Sequence, residues 1–81
     1  NKIFPEGGFE TGWKEFAMKL AGGPPIAMGM IKSTIYRAAE ADMAAAMEIE
    51  TLGQIVCSQT EDSKEGVASF LEKRPANFQG R

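Results

Sequence analysis

At 81 residues, 43% of them apolar and 25% charged, the chain is one small domain or part of one, and a chain this short is only marginally stable alone. A net charge of −2 and the lack of any basic run argue against nucleic acid as a partner, and no apolar stretch approaches the roughly 18 residues that signal a membrane span. One cysteine, Cys57, excludes an internal disulfide framework and fits a reducing compartment such as the cytoplasm.

The chain opens without Met, on a short apolar run that suggests a piece of a longer protein, and it carries no secretory leader pattern. Residues 1–10 read as the end of a strand and a turn: Ile3 and Phe4 are strand-like, Pro5 stops the run, and Gly7-Gly8 marks the turn. Residues 11–81 read as a helical domain. Thr11 is the expected N-cap of a first helix, whose apolar stripe is Trp13, Phe16, Ala17, Leu20 and Ala21. Gly22-Gly23 closes it, and Pro24-Pro25 opens a second helix over about 25–39 with Met28, Ile31, Ile35 and Ala38 on its buried stripe.

Asp42 can cap a third helix that reaches about residue 58, with Ala45, Ile49, Leu52 and Val56 on one stripe. The Ala-rich composition around residue 44 would equally support a single long helix through the break at 40–42. A fourth helix is expected near Asp62, with Asp62 and Glu65 as an acidic capping box, Val67, Phe70 and Leu71 along it, Lys73 and Arg74 at its end, and Pro75 as the stop. The fold class is therefore all-α, with three to four helices and a short strand-like N-terminal end.

Chemistry is sparse. Without histidine, neither a Ser-His-Asp nor a Cys-His arrangement can form, and one cysteine with no histidine argues against a zinc site. Cys57 reads as a small helix residue. The segment 29–34 has a superficial phosphate-loop look, but Lys32 is not directly preceded by Gly and the segment reads as mid-helix. Glu48 and Glu50 point to different helix faces, while Glu61 and Asp62 read as helix-start acids. Met18, Met28, Met30, Met43 and Met47 read as core or interface filler. Read this way, no catalytic or metal-binding residue is expected in the chain.

A pattern emerges from the order of short motifs. Glu65-Gly66 is followed by Phe70, Glu72-Lys73-Arg74 and Phe78. Upstream stand Leu20-Ala21, Pro24-Pro25, Ala27 and Lys32, then Met47-Glu48 and Glu50, then Thr60-Glu61-Asp62. Together with the opening Asn1-Lys2-Ile3-Phe4-Pro5, this order resembles the C-terminal region of the enoyl-CoA hydratase/isomerase (crotonase) family across essentially the whole chain. Ser69 stands where that family often has Ala, and Pro75 sits early.

The resemblance implies a C-terminal helical segment that follows a ββα-repeat core, caps an acyl-CoA site and supports trimers or hexamers. It implies a parent enzyme, a hydratase or isomerase acting on coenzyme A thioesters without a further cofactor, whose oxyanion hole and acid–base groups lie before Asn1, so that this chain alone is inactive. It also implies that Lys73 reaches the phosphates of coenzyme A. The aromatic that the family often places near the end of the third helix is missing from residues 54–58. Two other readings stay open on the sequence: a stand-alone helical interaction module, and a small acyl-CoA-binding bundle.

Overall fold

In the computed structural model, which describes residues 2–81, the chain forms α1 (Phe9–Ala21), α2 (Pro25–Ala38), α3 (Met43–Ser58) and α4 (Glu61–Glu72). The all-α expectation holds, and no helix among the described residues is long and apolar enough to cross a membrane. Residues 2–5 carry no regular structure, and no strand lies beside them among the described residues. The strand-end reading of residues 1–10 also included Asn1, which lies outside the described residues.

The helix ends follow from local chemistry, with two corrections. α1 starts at Phe9 rather than after Thr11: Pro5 O accepts from Gly8 N at 3.0 Å, Gly7 takes φ 83°, and this turn delivers Gly8 as an N-cap without a side-chain bond. Thr11 falls inside the first turn because the Pro5–Gly8 turn has already nucleated the helix. The leading residues fold back on α1, where Phe4 meets Phe9 edge-on at 6.2 Å. A β-carbon at position 12 would collide with the Phe4 ring, so Gly12 is what permits this contact.

Pro24 and Pro25 fill the N-cap and first helical position of α2, where a missing N–H costs nothing. The break at 40–42 is real. The carboxylate of Asp42 accepts from Ala45 N at 2.8 Å and starts α3 as expected. The second correction concerns α4. Its cap is Thr60, whose hydroxyl accepts from Ser63 N at 3.0 Å and donates to Cys57 O at 2.7 Å. This hydroxyl ties the end of α3 to the start of α4 and leaves Asp62 and Glu65 free for other work.

α2 packs along α3, and Gly53 lets the two backbones approach: it is buried against Met30 and Thr34. α3 touches α4 more briefly, and α1 makes no comparable contact with another helix. The expected buried stripes therefore lie open. Ile31 is 59% exposed and Ile35 64%, and Leu52, Val56, Val67, Phe70 and Leu71 are exposed as well. The buried residues among those described are Gly53, Asp62 and Ser69, so no large apolar side chain is buried.

The dimensions agree. The chain is a slab of 44 × 36 × 19 Å with a radius of gyration of 15.6 Å, where a compact globule of this length has about 12 Å. Its accessible surface is 6775 Å², against roughly 4800 Å² for a folded monomer of this mass.

Candidate functional site

The polar structure of the molecule concentrates where the last nine residues fold back along α4. Helix α4 ends at Glu72, and Lys73 follows in the left-handed region (φ 53°, ψ 41°). Arg74 N then donates to Ser69 O at 3.1 Å and Lys73 N to Phe70 O at 3.3 Å. This is the paired bonding of a Schellman stop, a position that usually takes Gly because an L side chain crowds its own backbone there.

Arg74 turns back to form a forked pair with Glu65, at 2.5 and 2.8 Å, and also donates to Glu72 at 2.6 Å. Asn77 N adds a bond to Glu65 at 2.8 Å. These donors, Arg74 first and the Asn77 N–H second, hold the Glu65 carboxyl down at about 2. The carboxylates in turn push the Arg74 guanidinium above its ordinary value.

One turn earlier, Asp62 is 4% exposed. Its two oxygens accept from Gln79 N at 2.6 Å and Gly80 N at 2.8 Å, while its own N–H donates to Arg81 O at 3.0 Å. The Arg81 side chain pairs with Glu61 at 2.8 Å on the open surface.

This arrangement decides among the acids. Asp62 and Glu65 are not a capping box, and all four of their carboxylate oxygens accept structural hydrogen bonds from Arg74 or from backbone N–H groups. A carboxylate held at about 2 is also a poor base at neutral pH. Glu48 and Glu50 stay solvent-facing or partnerless on α3, and no His, Cys, Asp and Glu cluster with metal-binding geometry occurs among the described residues.

Of the two cations in Glu72-Lys73-Arg74, Arg74 is committed to Glu65 and Glu72, whereas Lys73 is exposed and has no ion pair among the described residues. Lys73 is thus a free ammonium on a backbone position with a conformational cost. Strain of this kind persists where its surroundings over-determine it.

Beside the tail lies an apolar cleft of about 290 Å³ whose walls are Pro24, Ile26 and Ala27 of the α2 entry, Cys57, the first turns of α4, and Phe78. The Phe78 ring rests over Gly66, where a β-carbon would meet it at 3.7 Å. Cys57 is half-buried in this wall, as its reading as a small helix residue implied.

The enoyl-CoA hydratase/isomerase family matches residues 1–81. The chain belongs to that family. The crystal structure of the enoyl-CoA hydratase from Geobacillus kaustophilus HTA426 superposes with a TM-score of 0.88 and 34% identity, covering 98% of this chain and 30% of that one. A probable enoyl-CoA hydratase of Rhodobacter capsulatus is 36% identical over 77 residues, 95% of this chain and 30% of the relative. A short-chain-enoyl-CoA hydratase of Clostridium acetobutylicum is 34% identical over 76 residues, 91% of this chain and 28% of the relative. The chain therefore spans about 30% of the length of these relatives, and its four helices are a helical part of the crotonase fold.

Within this family member, sequence reasoning placed Glu65, Lys73, Arg74 and Phe78 in one signature but missed what links them. The role of Asp62 as acceptor for two tail N–H groups was hidden, because an acid two residues into a helix looks like a dipole partner. Thr60 was the available clue: a Thr directly before Glu-Asp can itself cap the helix, which frees the Asp.

Proposed function

We propose that this chain is the C-terminal helical part of an acyl-CoA enzyme that adds water across the double bond of a 2-enoyl-CoA thioester. In this reading residues 1–10 lead out of a catalytic core, and the helices cover that core and support a trimer or hexamer. The observation that carries it is the surface: the chain exposes about 2000 Å² more than a folded monomer of its mass should, and its apolar stripes face outward. That excess exceeds the roughly 800 Å² per partner of a standard interface and suits a permanent one. The hydratase names of the relatives support the choice of reaction.

Catalysis in this reading belongs to residues outside the chain, where preorganised N–H groups would stabilise the developing enolate. The chain contributes binding. Lys73, free of carboxylates and projecting past the end of α4, would hold a phosphate of coenzyme A as a point charge. The proposed location is the cytoplasm, or the mitochondrial matrix in a eukaryote, where the Cys57 thiol would stay reduced.

The test is hydration of crotonyl-CoA by the intact protein, followed as loss of the enoyl-thioester absorbance. Turnover at a rate typical of enzymes supports the reading. Its absence, in intact protein shown to be folded and assembled, overturns it.

A further inference from the structure

The way α4 is held in place does not follow from helix packing. Its apolar residues Val67, Phe70 and Leu71 are exposed, and its direct contact with α3 is short. What reaches across the molecule is the tail. Asp62 grips the backbone of residues 79–81 in both directions, Glu65 holds Arg74 and Asn77, and Phe78 lies over Gly66. On its other side the tail meets the entry of α2: at Gly80, with φ 75°, a β-carbon would come within 2.9 Å of the Pro25 ring. Phe78 shares a cleft wall with Pro24 and Ile26.

We infer that residues 75–81 are a strap that fastens α4 to the start of α2, with Asp62 as its anchor and Gly80 as its seat. The strap starts two residues after Lys73, so it also fixes where that ammonium stands. This last consequence rests on the proposed coenzyme A contact, whereas the strap itself does not.

Asp62 suits an anchor because it is a buried carboxylate with both oxygens satisfied by backbone N–H groups. Removing it leaves those two donors without a charged acceptor. Gly80 suits a seat for two reasons. Its positive φ disfavours an L side chain, and the Pro25 ring occupies the space a β-carbon needs. Either substitution should free the strap while α2 and α3 stay packed through Gly53.

Amide hydrogen exchange on the intact protein separates the possibilities. In the unmutated protein the amides of Asn77, Gln79 and Gly80 should be protected although they lie outside any helix. Asp62→Ala should speed exchange at Gln79 and Gly80 by roughly tenfold or more, the factor expected from loss of one bond to a charged group, and leave Met30, Thr34 and Gly53 protected. Gly80→Ala should do the same with Asp62 intact, which keeps the test open if Asp62→Ala fails to fold.

The KM for crotonyl-CoA, read in parallel, should rise with kcat held if Lys73 is misplaced. Faster exchange with an unchanged KM supports the strap and removes only its part in placing Lys73. Unprotected Gln79 and Gly80 amides in the unmutated protein, or protection unchanged by both substitutions, would overturn the strap.

Discussion

Lys73 combines an unfavourable backbone conformation with the proposed phosphate contact, and three substitutions in the intact protein separate the two. Its backbone is left-handed (φ 53°), which costs an L-residue roughly 1–2 kcal/mol. Glycine escapes that cost but loses about 0.5–1 kcal/mol more chain entropy on folding. Lys73→Gly should therefore stabilise by roughly 0.5–1 kcal/mol. Lys73→Asn should gain part of this, because Asn tolerates the same region, and Lys73→Ala should gain nothing.

All three remove the ammonium. If it contacts a phosphate from an exposed position, each should raise the KM for coenzyme A esters about fivefold, or ~1 kcal/mol, with kcat unchanged because the contact is equal in ground and transition states. The loss should shrink at high salt. The assay is a melting midpoint for stability beside steady-state kinetics at low and high salt. Stability should rank Gly above Asn above Ala, while KM groups all three together. A Gly variant less stable than Lys would refute the backbone argument, and an unchanged KM in all three at low salt would refute the phosphate contact.

Three further outcomes are expected. The 81-residue chain on its own should associate, because its apolar stripes face water; a clean monomer in sedimentation at about 100 µM, above typical weak-dimer affinities, would count against this. The same isolated chain should not hydrate crotonyl-CoA, since Asp62 and Glu65 hold the 74–81 segment and no other acid–base pair is assembled among the described residues; turnover above background in purified material would show otherwise. Glu65, held at about 2 against an ordinary 4.5, should add stability that is complete above 4.5 and lost as pH falls towards 2, because the unfolded chain takes up the proton first. Carboxyl titration by NMR checks the value, and Glu65→Gln should flatten the acid limb of the unfolding curve in that window.

What the sequence disclosed was whatever depends on neighbours along the chain. The Gly-Gly and Pro-Pro punctuation placed the end of α1 and the start of α2, and Asp42 placed the start of α3 to the residue, because caps and breakers act within one helical turn. The start of α4 was misassigned because Thr60 and Asp62 are both good caps, and the choice between them is made by the tail some 17 residues later. That is a tertiary contact that no local pattern encodes. The same limit explains Lys73, whose left-handed backbone is invisible in a residue type that normally avoids it.

The apolar stripes show a different limit. The spacing 28, 31, 35 marked one apolar face of α2, but periodicity reports that a face is apolar without saying whether anything covers it, and Ile31 and Ile35 are exposed. In this slab the face that packs on α3 is instead the one bearing Met30 and Thr34, opposite Gly53, which has no side chain to hold the backbones apart. Ile31 and Ile35 then turn outward, towards a groove they share with Phe16 and Leu20 of α1. The exposed stripe and the lack of a buried apolar core among the described residues are thus one fact: the four helices do not cover one another's apolar faces.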